Sequence, residues 1–381
     1  MAAALVVLTR ALPRRAAMVA HAVVSLAVFG YVLASPGSIG FGLAFVYAPW
    51  VLVRALGPER ALRAVVVVQA LAVLWLRRYA ALIPGLGELG VFDHGVAVLG
   101  ASYVVLRQIQ WALHRDDAPD EPTDLGTYTA FLLGGFTLLA GPIVPFGEWR
   151  DGFRAKDDVL DVDTLLAAGH RVVRGYLKVA VLAPILGGLS AVAGVEEAGW
   201  TTSARLLSFY LYPLFIYVNF AGYCDVVIGL GALAGQRLPE NFDRPFSATN
   251  IQEFWQRWHM TFTRWLREYV AYPLQMTLRR RRWPAERATA VGVLTVFLFV
   301  GLWHGAEWGF LLFGVLHGLA VLALRPWAAV EARWLGAEGR AFLHETRAGH
   351  ALRWLVFFHF LCATMTLFDR ELADAWRILV G

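Results

Sequence analysis

Two histidines lie in sequence contexts that suggest chemistry inside a membrane. His304 follows the apolar run 291–302 and precedes Gly305, where the backbone can be approached closely. His259 lies in the aromatic- and arginine-rich segment 254–269. Titratable groups are costly in lipid, and those that occur there usually have a function. A neutral imidazole in an apolar cavity can take a proton from a hydroxyl, whereas the structural alternative is a histidine that bonds a carbonyl between helices.

Further titratable residues in apolar segments are candidates for supporting roles. Asp225 needs a partner there, and an arginine or the Tyr223 hydroxyl would serve. Glu307 lies three residues after His304, so it either orients the imidazole or reaches water as a charge at a helix end. His317 falls about 220° around a straight helix from His304, so the two cannot share a face. No known metal-binding spacing is present, and the sequence predicts no metal site.

The composition indicates an all-α polytopic membrane protein. The 381 residues are 58% hydrophobic and 17% charged, against roughly 25% charged in soluble domains. The two cysteines lie in apolar segments, which excludes a disulfide framework. The net charge of +5 comes mostly from arginines in short loops, which favours contact with lipid headgroups over nucleic acid. Apolar runs of about 20 residues predict roughly ten spans: 16–34, 37–56, 61–83, 91–111, 126–147, 170–194, 204–235, 287–304, 309–325 and 352–368.

The chain contains no soluble module, so we expect one membrane-embedded domain over residues 1–381. The segment 251–270 differs from the spans, because on a helix its aromatic residues fall on one face and its charges on the other. This pattern predicts a single amphipathic helix that lies in the interface or braces the membrane core. His259 falls at the border of the two faces and can point into a cavity. His359 is a lone histidine in a predicted span, and a structural use is the simpler interpretation.

Several motifs, and the order in which they follow one another, resemble those of the membrane-bound O-acyltransferase family. The resemblance is to the branch of the alginate O-acetylation protein and the teichoic acid D-alanyl transferase. The resemblance covers about 140–320 and extends more weakly to His359. The motifs that carry it are Gly141-Pro-Ile-Val144, Tyr217-Val-Asn-Phe-Ala-Gly-Tyr-Cys-Asp225, Arg237-Leu-Pro-Glu-Asn-Phe-Asp-Arg-Pro-Phe246, the segment from Trp255 to Tyr269, and Gly301-Leu-Trp-His-Gly305.

The resemblance implies a helical core pierced by a central tunnel, with His304 as the catalytic histidine. His259 matches a second polar position that other branches often fill with asparagine. Trp258, Trp303, Asp225, Glu307, His317 and His359 are expected to bind substrate or to support the site. A developing oxyanion needs nearby donors, for which the His259 imidazole and a tryptophan N–H are candidates.

The implied reaction is acyl transfer from a cytoplasmic thioester to a hydroxyl. The first choice is acetyl transfer to an exported polysaccharide or its partner protein on the periplasmic or extracellular side. The co-substrate would be acetyl-CoA or an acyl carrier protein, with no bound cofactor. The alternatives are D-alanyl transfer to a wall polymer and a non-catalytic translocator or scaffold. The expected location is the bacterial inner membrane, which the chain would cross many times.

Overall fold

The computed structural model describes residues 2–33, 36–56, 64–65, 101–114, 124–138, 140–154, 161–191, 201–305, 307–368 and 371–380. Within these residues the chain is helical and forms no strand. The α-helices are α1 (Ala2–Ala11), α2 (Arg14–Leu33), α3 (Pro36–Leu56), α4 (Ala101–His114), α5 (Leu125–Leu133), α6 (Phe146–Arg154), α7 (Val162–Leu177), α8 (Ala183–Ala191), α9 (Thr202–Leu233), α10 (Ile251–Arg257), α11 (Met260–Leu266), α12 (Tyr272–Arg280), α13 (Ala285–His304), α14 (Trp308–Glu345), α15 (Arg347–Thr366) and α16 (Leu372–Leu379).

Five helical segments among the described residues are long and apolar enough to cross a membrane. They agree with the predicted all-α membrane class, whereas the ten predicted spans and the central tunnel stay predictions. The predicted span 61–83 lies outside the described residues except for 64–65, as does the first part of 91–111. The five segments are Ile39–Leu56, Val162–Ser190, Thr202–Leu233, Ala285–His304 and Trp308–Glu345.

The predicted span 126–147 is wrong as one continuous helix. Helix α5 ends at Leu133, and Gly134 and Gly135 both take positive φ angles, of 54° and 40°. That backbone suits glycine because it lacks a Cβ, and it breaks the apolar run into α5, a 3₁₀ turn and α6. The buried Arg107 donates to two buried carbonyls at this break, those of Leu132 at 2.8 Å and Thr137 at 2.6 Å.

The predicted single helix over 251–270 is also wrong. Helix α10 ends at Arg257, Trp258 is extended, and His259 takes a left-handed conformation with φ 44° and ψ 50° before α11 begins. A non-glycine residue in this region is uncommon, although histidine is among the residue types that occur there most often. The predicted aromatic face is nevertheless buried in protein, since Phe254 is 0% and Phe262 2% exposed. The segment therefore packs inside the protein as a helix–turn–helix.

The contacts divide the described chain into two compact units. The first contains 1–176 and 223–239, and the second contains 177–222 and 240–381, so α9 contributes to both. In the first unit Asp225 is buried and accepts from Nε of Arg171 and Nη2 of Arg174, each at 3.0 Å. Of the two kinds of partner that the sequence allowed for Asp225, an arginine or the Tyr223 hydroxyl, the arginine is confirmed. The prediction of one domain over 1–381 stays a prediction.

The second unit contains a close crossing of α13 and α14 that depends on glycine. A Cβ on Gly301 would lie 2.6 Å from the carbonyl oxygen of Phe310, and one on Gly314 would lie 2.3 Å from that of Phe297. Real Cβ atoms do not approach backbone so closely, and small residues of this kind let membrane helices pack backbone to backbone. The crossing fixes the end of α13 against the start of α14, and His304 is the last residue of α13.

Candidate active site

His304 lies at the carboxyl end of α13 with its ring among aromatic side chains. The ring stacks on Phe310 at a centroid distance of 5.8 Å and meets Phe368 edge-on at 4.6 Å. The side chain is half-buried. The last turn of a helix carries partial negative charge and stabilises a cation there. Position and environment therefore suit a histidine that becomes an imidazolium during a reaction.

His304 and His259 line the same cavity, which has a volume of about 240 Å³. Both histidines come from the second unit, as do the other residues of the wall. The wall is mostly aromatic and aliphatic, with one amide side chain, that of Asn219. The remaining lining residues are Phe215, Ile216, Phe220, Trp255, Trp258, Phe262, Val300, Phe313, Met365 and Phe368. The structure thus brings together the two histidines that the sequence singled out.

His259 is held at the turn between α10 and α11 by a side chain from a loop. Its Nδ1 lies 3.1 Å from Oδ1 of Asn241, and the ring packs edge-on against Phe220 at 4.9 Å. The Asn241 oxygen also accepts from the Thr261 hydroxyl at 2.8 Å and from its backbone N–H at 3.3 Å. One amide therefore supports both the unusual backbone of His259 and the orientation of its ring.

The two histidines differ in electrostatic environment. Burial is the main reason that the pKa of His259 is lowered to about 3, and the nearby His304 contributes to the same shift. His259 directly precedes α11, and the amino end of a helix carries a partial positive charge. This charge also disfavours a positive charge on the His259 ring. His304 instead ends α13, where a positive charge is favoured. The helix ends beside the two rings therefore carry partial charges of opposite sign.

Asn219 is the polar cavity residue that sequence reasoning did not single out. It lies on α9 within the apolar run 211–221, and its side chain lines the cavity. No hydrogen bond is found for its amide among the described residues. An amide placed in an apolar helix is costly in lipid unless it meets a partner or a substrate. That cost was visible in the sequence and is the signal that could have identified Asn219.

His317 lies outside this cavity, in a closed hydrogen-bonded chain. Its Nδ1 accepts from the indole N–H of Trp255 at 3.2 Å, and its Nε2 contacts Oγ1 of Thr364 at 2.8 Å. The Thr364 hydroxyl in turn lies 3.1 Å from the carbonyl of Phe360. His317 is fully buried, and both of its ring nitrogens are engaged within the protein. If His317 supports the site as predicted, it does so through Trp255, which lines the cavity.

Two other candidates, His359 and Glu307, are not among the residues that line this cavity. His359 is exposed on α15, with Nδ1 on the carbonyl of Leu355 at 2.7 Å and Nε2 on the Tyr210 hydroxyl at 3.0 Å. The carboxylate of Glu307 is exposed and makes no hydrogen bond among the described residues. Of its two predicted roles, a charge at a helix end is therefore favoured over orienting the His304 ring. Both positions favour the structural interpretations that the sequence left open.

The two candidate tryptophans are placed differently. Trp258 is buried in the cavity wall and stacks on Phe254 at 5.3 Å. Trp303 packs against Phe262 at 5.4 Å and Phe299 at 5.7 Å, and it is not among the lining residues. Asp225 belongs to the first unit, whereas every lining residue belongs to the second. Of the supporting residues predicted, only Trp258 therefore lines the cavity.

A larger cavity of about 550 Å³ contains none of the candidate site residues. It is mostly apolar and holds Glu331, which accepts from the indole of Trp327 at 2.6 Å and contacts Nε2 of His344 at 3.1 Å. Volume alone therefore does not identify the site. In the described ranges, no cluster of three histidine, cysteine or acidic side chains could hold a metal ion.

Comparison with known proteins gives a consistent result. The membrane-bound O-acyltransferase family model matches residues 99–368. A peptidoglycan O-acetyltransferase of Helicobacter pylori is 33% identical over 258 residues, which cover 64% of this chain and 44% of that protein. A probable alginate O-acetylase of Azotobacter vinelandii is 32% identical over 296 residues, covering 76% and 54%.

A third relative carries a different activity in its name. A teichoic acid D-alanyltransferase of Streptococcus thermophilus is 27% identical over 290 residues, which cover 73% of this chain and 69% of that protein. The chain thus spans about half the length of the two O-acetylating relatives and over two thirds of this one. The matched residues 99–368 include both cavity histidines.

Proposed function

Because the chain belongs to the membrane-bound O-acyltransferase family, we propose that it transfers an acyl group from a thioester to a hydroxyl. The observation that carries this proposal is the cavity lined by His304, His259 and Asn219. Its apolar walls would limit hydrolysis of a thioester by keeping water away. Holding both substrates beside one histidine would also lower the entropic cost of bringing them together.

In the proposed reaction His304 is the general base. The acceptor hydroxyl attacks the thioester carbonyl, a C–O bond forms, and the hydroxyl proton passes to the imidazole. When the C–S bond breaks, the imidazolium returns that proton to the leaving thiolate, so His304 ends the cycle neutral. The position of His304 at the end of α13 supports this role, because the helix end stabilises the intermediate cation.

The tetrahedral intermediate carries a negative oxygen that needs a hydrogen-bond donor. The Asn219 amide has two N–H groups, lines the same cavity as His304, and makes no hydrogen bond among the described residues. We assign it the role of oxyanion donor. The indole N–H of Trp255, another group in the cavity wall, is already engaged with His317.

For the substrates, we propose acetyl transfer to an exported polysaccharide or wall polymer. Two of the relatives are named for O-acetylation of such polymers. The acyl donor would be acetyl-CoA or an acyl carrier protein on the cytoplasmic side, and the acceptor or a partner protein would lie on the other side. The chain would then be a multi-pass protein of a bacterial inner membrane, consistent with its apolar helices.

D-alanyl transfer is a second candidate function. It is favoured by length, since the chain covers 69% of the D-alanyltransferase but 44% and 54% of the O-acetylating relatives. The two candidates share the cavity and the base and differ in the acyl group. They are therefore separated by identifying the acid that is transferred.

The test uses cells with the wild-type protein, with His304→Ala, or with no protein. Envelope esters are released with mild base, and the acid is identified by mass spectrometry. Loss of acetate in both defective strains is the expected result, and loss of D-alanine in its place would select the second candidate. If no ester of any acid changes while the variant inserts normally, acyl transfer is overturned in favour of a translocator or scaffold.

A further inference from the structure

The hydrogen bonds around His259 define which ring nitrogen carries its proton. The backbone N–H of Thr261 can only donate, and it points to Oδ1 of Asn241 at 3.3 Å, so this atom must be the amide oxygen. The Thr261 hydroxyl donates to the same oxygen at 2.8 Å. Nδ1 of His259 lies 3.1 Å from that oxygen, which only accepts, so Nδ1 carries the proton. In the neutral ring Nε2 then has a lone pair and no hydrogen.

We propose that Asn241 is a positioning residue that holds His259 as the Nδ1–H tautomer, so that the ring offers the cavity a lone pair and no N–H. His259 would then accept a hydrogen bond from a substrate O–H group at Nε2. It would not donate to the oxyanion, which was one of the roles the sequence suggested for it. The catalytic consequence rests on the proposed acyl transfer, but the tautomer itself does not.

The surroundings of His259 keep the neutral form dominant. Phe220 from α9, Phe262 from α11 and the Asn241 loop contact the ring without a charge, and the uncharged Asn219 lines the same cavity. His304 from α13 is the titratable neighbour in the cavity wall, and its positive charge would oppose protonation of His259. No hydrogen bond to Nε2 of His259 is found in the described part of the chain. That nitrogen is therefore available to a ligand in the cavity.

The arrangement separates the tasks of the two histidines. If both rings competed for the acceptor proton, a fraction of molecules would carry it on the wrong residue. Fixing Nδ1–H on His259 and disfavouring its cation leaves His304 as the group that accepts the proton. A second hydroxyl on the acceptor is then the natural partner for the Nε2 lone pair. This fits an acceptor that carries more than one hydroxyl, as sugars do.

The tautomer can be measured on the full-length protein in lipid bilayers. Histidine labelled with ¹⁵N gives different chemical shifts for protonated and lone-pair nitrogens, and His259→Gln identifies the resonances of His259 by their loss. The expected spectrum at neutral pH has a protonated Nδ1 and an unprotonated Nε2. A protonated Nε2 on His259 in the wild-type protein would overturn the inference directly.

Substitutions of Asn241 test whether it causes the tautomer. Asn241→Leu removes the acceptor, and a mixture of tautomers or the opposite tautomer is expected. Asn241→Asp keeps the acceptor and adds a negative charge, so Nδ1–H should persist while His259 titrates at a pH higher by roughly 1–3 units. Asn250→Asp is the matched control, because Asn250 caps α10 through Oδ1 and lies outside the 240 Å³ cavity. A wild-type tautomer in Asn241→Leu would show that Asn241 is not the cause.

Turnover measurements separate this inference from the proposed function. We expect Asn241→Leu to lower turnover by roughly 10- to 100-fold. Asn241→Asp should keep most of the wild-type turnover at high pH and lose it on acidification. The control Asn250→Asp should match the wild type. If Asn241→Leu fails to fold, the wild-type spectrum and Asn241→Asp still decide the question. Absence of any acyl transfer by the wild type would overturn the function and leave the tautomer result standing. Full turnover in a folded Asn241→Leu would overturn the positioning role alone.

Discussion

The second unit places histidines in two neighbouring environments with opposite properties. In the cavity, His259 has one ring nitrogen bonded to Asn241 and the other without a partner in the described residues. In the polar chain on the other side of Trp255, His317 has both ring nitrogens engaged and is fully buried. Trp255 contributes to both, since it lines the cavity and donates to His317.

The difference shows how the same residue type can have a chemical use or a structural one a few ångströms away. A ring with both nitrogens satisfied contributes to stability and has no atom left for a substrate. A ring that faces a cavity with one nitrogen available forgoes a hydrogen bond and can bind a ligand there. The comparison therefore predicts that substitutions in the cavity change turnover, whereas those in the His317 chain change stability.

The largest expected effect is on turnover in His304→Gln. Loss of the base should lower turnover by roughly 10²- to 10⁴-fold without lowering the unfolding temperature, because the side chain is half-buried and lines a cavity. Acyl transfer and thermal unfolding are measured on the same purified samples. His350→Gln, at an exposed position on α15, is the matched control and should match the wild type. Wild-type turnover in His304→Gln would remove the basis of the comparison.

Asn219→Leu should have the next largest effect. Removing an oxyanion donor should lower turnover by roughly 10²- to 10³-fold, with a smaller effect on substrate affinity, because the bond strengthens in the transition state. The measurement is kcat and KM for Asn219→Leu, Asn219→Asp and Asn219→Gln. Aspartate lacks N–H donors and should be as slow as leucine, while glutamine keeps the amide and should recover part of the activity. Equal activity of Asp and Gln variants would reject the donor role.

His317→Phe should affect stability and leave the chemistry largely unchanged. The phenyl ring keeps the packing but leaves the buried indole N–H of Trp255 without an acceptor, which costs about 2 kcal/mol. The unfolding free energy is measured with denaturant in detergent, and turnover is expressed per folded molecule. We expect turnover within about threefold of the wild type. A hundredfold loss of turnover at normal stability would place His317 among the catalytic residues.

The smallest effect is a pH dependence of stability. The pKa of His259 falls to about 3 in the folded protein, so between roughly pH 6.5 and pH 3 the unfolded chain binds a proton that the folded chain does not. Stability should therefore fall on acidification through this window, because the unfolded chain gains a proton at His259 that the folded chain excludes. Thermal unfolding at pH 7.5, 6 and 5 should show a shallower loss in His259→Gln than in the wild type. Equal slopes would show that His259 is not buried as a neutral ring.

The sequence was informative where a long apolar run ends in a distinctive motif. The predicted spans 204–235 and 287–304 correspond to α9 and α13 within two residues at each end, because uninterrupted apolar runs indicate helices that cross lipid. The identification of His304 and His259 depended on the same runs and on the resemblance. Both histidines then proved to line one cavity.

The remaining features depend on contacts that local sequence does not encode. The break at His259 carries no glycine or proline, and the Asn241 amide that supports it comes from 18 residues earlier. The bond from Trp255 to His317 joins residues 62 positions apart. Helical periodicity could not show that His317 would be satisfied while His259 kept a nitrogen for the cavity. That distinction required the tertiary structure.

The left-handed backbone at position 259 also bears on how this site can change during evolution. Most side chains are disfavoured at a φ of 44°, but asparagine and histidine are among those that tolerate it best. A lineage can therefore exchange histidine for asparagine there without rebuilding the turn, whereas valine or leucine would strain it. The backbone conformation thus limits which residue types can occupy position 259, independently of the chemistry that their side chains could perform.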